Sequence, residues 1–525
     1  MKIPDTTAAD LLAQSFGTIA ELIGLQAAQR PQHPALVQDG ITVTYRSLDA
    51  IMDRVAASLQ RDGVMPGESI AICAANSIEY AVLFLGSLRA GVAVAPLAPS
   101  TAAEGLAVML EDCGARMLFL DEMADAALAP AGSRIDIGRV SLDGVAGGKA
   151  FDAWLAGPHI PPIPVDVRPD SPFNIIYSSG TTGAPKGIVQ PHSMRWGQVQ
   201  RGVMNGYGTD AVTLLSTPLY SNTTLVSFFA TVALGGTTVL MKKFDAASYL
   251  ALAEKHRVTH TMLVPVQYQR LLAMPDFGRY DLSSFRAKFC TSAPFSAALK
   301  KEVLGRWPGG LTEFYGMTEG GGSCVLAAHE FPDKLHTVGR PAPGSEFRLV
   351  DEEGREVSAG ETGEIVGRSG SMMTGYHKQP GKTAEAEWHD AEGRRFIRTG
   401  DVGRFDADGF LVLMDRKKDM IISGGFNIYP SDLEAVLLGH PDLEDASVVG
   451  VPSERWGETP VAFVVARAGV TLDAPAVLAW ANERLGKMQR LAAVEVVESL
   501  PRSAIGKVLK RELRDRYSNL AGQAA

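Results

Sequence analysis

Two hydrophobic periods alternate along the early chain. Leu48, Ile51, Val55 and Leu59 recur at helical spacing, and the run stops at Gly63. Ser69–Cys73 is a short apolar strand candidate, and residues 78–88 are apolar enough for a buried helix. Residues 211–290 repeat the pattern, with strand-like runs at 237–241 and 260–264 beside helix candidates. This alternation predicts a largely parallel α/β sheet. From about Thr337 to Leu413 glycine and charged residues interrupt short β-rich runs, among them 347–350 and 364–366, which predicts a small antiparallel or barrel-like subdomain.

The composition shifts at the charged stretch 415–419. Beyond it Ser431 and Glu434 have the spacing of a capping box ahead of Leu433, Val436 and Leu437, with Gly439 as the helix stop. Residues 447–451 and 461–465 read as strands and 477–485 as a second helix, so the order αββα predicts a small α+β module. The expected division is a large N-terminal domain over residues 1–415, a hinge at 416–419 and a C-terminal domain over 420–525. A chain of 525 residues exceeds one hydrophobic core and agrees with a multidomain protein.

Composition narrows the function classes. A net charge of -9 argues against nucleic acid as a partner, because that surface needs a basic face. Cys73, Cys113, Cys290 and Cys324 show neither Cys-x-x-Cys pairing nor histidine spacing, so no zinc site or disulfide framework is expected and a reducing, cytoplasmic setting fits. Residues 1–16 lack the apolar core of a signal peptide, and the most apolar stretch, 80–98, is interrupted by Arg89 and Gly91, so no membrane span is expected.

Candidate chemistry begins at Tyr177, where the chain reads Tyr-Ser-Ser-Gly-Thr-Thr-Gly-Ala-Pro-Lys-Gly directly after an apolar run. Gly180 and Gly183 let backbone N–H groups approach phosphate oxygens, Ser178, Ser179, Thr181 and Thr182 add hydroxyl donors, and Lys186 adds a point charge. A nucleotide fits such a cradle, with a plain surface turn as the competing reading of this segment alone. A Walker loop does not fit, since Lys186 stands between Pro185 and Gly187.

Further motifs follow in order: Glu-Phe-Tyr-Gly-Met-Thr-Glu-Gly from Glu313, Thr-Gly-Asp from Thr399, Asp-Arg-Lys-Lys-Asp from Asp415 and Pro-Arg-Ser-Ala-Ile-Gly-Lys from Pro501. Together they resemble the acyl- and aryl-CoA synthetases of the adenylate-forming superfamily, over nearly the whole chain. The resemblance implies ATP, Mg²⁺ and coenzyme A as reactants, and a C-terminal domain that rotates on the hinge at Lys418 between two working orientations. It assigns Tyr315, with Gly316, to adenine stacking, Thr318 to the α-phosphate and Glu319 to the metal. It assigns Asp401 to the ribose hydroxyls, Arg416 to a second ribose or phosphate contact, and Ala293 and Pro294 to the nucleotide site. Lys507 is implied as the catalytic lysine of the first half-reaction. Ser423, Gly424 and Gly425 are placed beside the pantetheine path, with Trp456 as a candidate wall for coenzyme A or, alternatively, a buried packing residue.

The implied first step needs little proton chemistry, since a carboxylic acid of pKa about 4–5 is already ionised when it attacks the α-phosphorus. No base dedicated to the attacking thiol is apparent. Three departures from the family pattern bear on the acyl pocket: Ser221 stands where a histidine is usual, and Thr291 and Phe314 stand where glycines are common. Phe314 should shorten the pocket while Thr291, Ser221 and Asn222, beside Tyr220, make its wall partly polar. The expectation is an ATP-dependent carboxylate–CoA ligase for a small aromatic or short-to-medium-chain acid. A medium- or long-chain fatty acyl-CoA ligase, or an adenylation enzyme loading a carrier protein, are the alternatives. Residues 220–224 contain no aspartate to hold an amino group, which counts against amino acids. Oligomeric state is left open, a homodimer included.

Overall fold

The computed structural model describes residues 7–178, 185–416, 418–423, 426–453, 456–486, 489–503 and 506–523. The chain divides into two compact units. The first comprises Met1–His336, Pro341–Glu346 and Arg368–Ile397, and the second Thr337–Arg340, Phe347–Gly367 and Arg398–Ala525.

Two large sheets organise the first unit. In one, Gly310–Gly316, Ala287–Cys290, His260–Leu263, Val212–Leu215, Thr237–Leu240 and Pro34–Gln38 lie in that order as parallel neighbours, closed by the antiparallel strands Ser323–Ala327 and Ile41–Thr44. In the other, the parallel series Pro172–Ser178, Ala93–Leu97, Ser69–Cys73, Met117–Leu120, Gly138–Ser141 and Lys149–Ala150 is extended antiparallel by Lys186–Pro191 and Gly375–Tyr376. The parallel cores follow from the β/α alternation, and the antiparallel edges make both sheets mixed. Helices Ile19–Gln29, Tyr45–Arg61, Ile78–Arg89 and Asn222–Ala233 contribute to one core with strands of both sheets, Leu36, Leu215 and Phe289 on one side and Ile72, Val94 and Phe173 on the other. Ile78–Arg89 is buried nearly all round, as a helix with no polar face must be.

In the second unit, strands Leu443–Ser453 and Gly457–Ala466 form a long antiparallel pair, flanked by the hairpin Ile421–Ser423 and Phe426–Ile428 and by Ala493–Val496. Alternate residues serve two cores: Val448, Ala462 and Val464 meet Leu433, Leu437 and Val477, while Val449, Val461 and Phe463 meet Leu513. Both faces of the pair are therefore covered along its central stretch, where residues 446–451 and 460–464 are buried without a break. The order αββα omitted the hairpin, Ala493–Val496 and the polar C-terminal helix Lys510–Gln523, in which Leu513 is the one deeply buried anchor among residues 510–517 and leaves little periodic signal.

The capping box does not form. Helix Pro430–Leu438 starts from Tyr429 with proline at its first position and no side-chain cap. The Ser431 hydroxyl instead donates to the Met414 carbonyl. Glu434 accepts from the Val448 N–H at 2.8 Å and pairs with Lys510 at 3.0 Å, so longer-range partners claim both side chains.

Candidate active site

Most candidate residues of the first unit gather at the carboxyl ends of parallel strands, the place where open α/β sheets present ligand sites. Thr291 to Pro294 follow Ala287–Cys290, Tyr220 to Asn222 follow Val212–Leu215, and Met317 to Gly320 follow Gly310–Gly316. The Ser292 hydroxyl lies 2.5 Å from that of Thr223, which ties the first of these loops to the second. Ser221 caps helix Asn222–Ala233 by position only, without a side-chain cap.

Along Gly310–Gly316 the alternation of the strand separates two roles. Tyr315 is buried on one face with Glu313, whereas Phe314 points to the other and packs 5.6 Å from the Phe289 ring. Glu313 is paired with Lys300 at 2.5 Å, both almost wholly buried. Burial raises the Glu313 carboxyl more than the lysine charge and hydrogen bond lower it, which leaves it at about 7. A side chain at Gly316 would be tight, since a Cβ would approach the Gly322 carbonyl oxygen to 3.1 Å and Ser323 Oγ to 3.2 Å, and these neighbours would have to give way. Gly320 adopts φ +80°, and a Cβ there would meet the Ser371 carbonyl oxygen at 2.3 Å.

Glu319 is held at two points. Its carbonyl accepts from the Met373 N–H at 2.8 Å, and its carboxylate accepts from the Tyr376 hydroxyl at 2.9 Å. Burial, and then the Glu319 charge, push the Tyr376 phenol above its ordinary range, so it remains a protonated donor. On the same ring sits Lys186, its Nζ 4.9 Å from the centroid. Lys186 and Glu319 thus bracket one tyrosine, and no ion pair joins them among the described residues. The cation stays available to an anion and the second carboxylate oxygen to a metal ion. Lys186 opens strand Lys186–Pro191 opposite Ser178, so the two ends of the glycine-rich loop are pinned in register. Ser179, Gly180, Thr181, Thr182 and Gly183 lie outside the described residues.

The second unit carries the remaining candidates. Asp401 and Arg416 are register partners in the antiparallel pair Arg395–Phe405 and Leu411–Arg416. The Asp401 N–H donates to Thr399 Oγ1 at 3.0 Å, and that hydroxyl donates to the Ile365 carbonyl at 2.8 Å. Lys418 is exposed in a turn. Ser423 is the register partner of Gly457, which brings it beside Trp456. Trp456 is 42% exposed, which removes the packing alternative. Gly424 and Gly425 lie outside the described residues. Lys507 sits on a tight turn whose residue Gly506 has φ +77°. There the Ser503 N–H donates to the Lys507 carbonyl at 2.8 Å and the Lys507 N–H to Ser503 Oγ at 3.2 Å.

Residues 24–377 match the model of the AMP-binding enzyme family, and residues 432–507, ending on the candidate lysine, match that of the AMP-binding enzyme C-terminal domain. This chain belongs to the AMP-binding enzyme family. It is 35% identical to a feruloyl-CoA synthase of Amycolatopsis over 498 residues, 94% of this chain and 97% of that one. It is 33% identical to the fatty acid–acyl-carrier-protein ligase ScoC of Streptomyces coeruleorubidus, covering 95% and 96% of the two chains. Among solved structures, ATP-bound MatB from Rhodopseudomonas palustris superimposes with a TM-score of 0.85 at 29% identity, covering 95% of this chain and 99% of that one. Among the described residues no helix is long and apolar enough to cross a membrane.

Against this family background, sequence reasoning passed over Tyr376 and a cluster around Arg195. Tyr376 reaches Glu319 across 57 positions, and nothing local marks it. Arg195, Gln190 and Asn174 belong to no motif in the sequence, and only their packing brings them together.

Proposed function

We propose that this AMP-binding enzyme activates a small aromatic or short-to-medium-chain carboxylic acid with ATP and passes the acyl group to the thiol of coenzyme A. The observation that carries the reading is the bracket of Lys186 and Glu319 on Tyr376 at the carboxyl edge of the sheets, which offers a cation and a carboxylate without letting them neutralise each other. The name of the feruloyl-CoA relative supports coenzyme A as acceptor and an aromatic acid as donor.

In the first half-reaction the ionised acid attacks the α-phosphorus of ATP, and pyrophosphate leaves along the loop that Lys186 closes. Thr318 meets the α-phosphate, and Lys507, delivered by a C-terminal domain turning at Lys418, offsets the repulsion between two anions. Glu319 is the protein's carboxylate for Mg²⁺, which supplies charge neutralisation at the phosphates when bound. A lone carboxylate suits an ion that keeps waters and takes phosphate oxygens, and no cluster of three acidic, histidine or cysteine groups occurs among the described residues. Tyr315 stacks on adenine, while Asp401 and Arg416 take the ribose. In the second half-reaction the thiol reaches the adenylate past Ser423, Gly424, Gly425 and Trp456, and AMP leaves. Phe314 against Phe289 limits the depth of the acyl pocket, and Ser221, Asn222 and Thr291 make its wall partly polar.

Pyrophosphate exchange against benzoates, cinnamates and straight-chain acids, followed by thioester formation with coenzyme A, tests the reading. Exchange confined to long-chain acids would overturn the substrate class. Transfer to a phosphopantetheinyl carrier protein in place of coenzyme A would favour the second reading, which the acyl-carrier-protein ligase relative supports.

A further inference from the structure

Arg195, on helix His192–Met204, is 1% exposed, and no carboxylate meets it among the described residues. A buried guanidinium without a counter-ion costs stability, and an apolar side chain would fill the same space more cheaply. Its partners are amide oxygens. Nε and Nη2 donate to Asn174 Oδ1 at 3.2 and 3.1 Å, Nη2 also to Gln190 Oε1 at 2.5 Å and to Asn222 Oδ1 at 2.8 Å, and Nη1 to Gln198 Oε1 at 2.9 Å. The rings of Phe173 and Phe229 lie 5.7 and 5.6 Å away. Burial lowers the guanidinium only to about 9, so it is charged at neutral pH.

A side-chain amide can present either its oxygen or its NH₂ in nearly the same shape, and a cation decides the choice. With its oxygen turned to Arg195 and to Asn174 Nδ2 at 2.9 Å, Gln190 must aim its NH₂ the opposite way. That NH₂ donates to the Thr318 carbonyl at 2.7 Å and to Asn222 Oδ1 at 3.3 Å. One buried charge therefore orients two amides that reach the turn carrying Thr318 and the start of the helix beside Ser221.

We propose that Arg195 is a positioning residue for adenylate formation, acting through Gln190 on the Thr318 backbone and through Asn222 on the acyl-pocket wall. The proposal rests on the function proposed above, and the test separates the two. Gln190→Glu keeps the shape and the contact with Arg195, but an ionised carboxylate beside a cation donates nothing to Thr318. Its pyrophosphate-exchange kcat should fall about tenfold, the size of one lost backbone-directed hydrogen bond at the upper end of the usual range, while the KM for ATP changes less than threefold and the melting temperature holds or rises. Arg195→Gln should lose at least as much, since it also releases Asn222, and combining the two should cost no more than Arg195→Gln alone, because Gln190 acts within the same path. Wild-type kcat in both single variants, or unfolding of both, would make the cluster purely structural and overturn the proposal. Absence of acid-dependent exchange in the wild-type enzyme would overturn the function reading instead.

Discussion

The turn that carries Glu319 is held by side chains far away in sequence, whereas the turn that carries Lys507 has its backbone bonds among near neighbours, with the Arg502–Asp445 ion pair reaching outward. Around Glu319 the bonds come from Tyr376, 57 positions away, from Ser369 Oγ to the Gly320 carbonyl across 49, and from Gln190 to the Thr318 carbonyl across 128. Around Lys507 the backbone bonds join Ser503, Gly506 and Lys507, and Arg502 donates to the Gly506 carbonyl at 2.7 Å across four positions. A turn with its own bonds can be carried by a domain without being rebuilt. A turn held by distant partners is as rigid as the sheets behind it, which suits the proposed role of holding phosphates and a metal in fixed geometry.

Removing the Lys507 amine should produce the largest effect. Lys507→Ala should lower adenylate formation by about 10²–10³, the loss typical of one preorganised transition-state donor, yet still convert supplied acyl-adenylate to thioester. Equal loss in both half-reactions, measured by exchange and by single-turnover thioester formation, would contradict delivery by a moving turn. Acid should then distinguish the fixed side. Burial depresses His192 and His260 to about 4, so between about pH 6.5 and 4 the unfolded chain binds more protons than the folded one. Their contribution is complete above about pH 6.5 and lost as pH falls, at about 3 kcal/mol each for the full interval. Urea midpoints recorded from pH 7 to 4.5 check this, and a flat profile would contradict it.

Smaller effects sharpen the contrast within the fixed side. Glu319→Gln should cost about 100-fold in kcat/KM for ATP and raise the Mg²⁺ needed for half-maximal rate, because a neutral amide is a poor ligand for a hard cation. Tyr376→Phe removes only the hydrogen bond that aims this carboxylate, and a loss of about tenfold is expected, partly restored by excess Mg²⁺. If Tyr376→Phe matched Glu319→Gln, the tyrosine would itself contact the reactants. Phe314→Gly should be the mildest. At about 0.8 kcal/mol per newly accommodated methylene, kcat/KM should shift toward longer or bulkier acids by several-fold per carbon until the space is filled. An unchanged rank order over straight-chain and para-substituted aromatic acids would place Phe314 outside the pocket.

The amino-acid order by itself determined the family, the β/α alternation of the first unit and the strand pair at the centre of the second. All of these depend on neighbours a few positions apart or on a periodic apolar face, and that information is local. Only the tertiary structure decided which partners the polar side chains take. Ser431 and Glu434 had the spacing of a capping box, but Met414, Val448 and Lys510 offered better-placed groups. Asp401 and Arg416 became neighbours through strand register, and Trp456 was left exposed in the turn that precedes the strand meeting Ser423. Tyr376 reached Glu319, and Arg195 found its amides, through packing between elements that no local period connects. A buried polar group must find a partner, and which one it finds depends on where distant strands and helices come to rest.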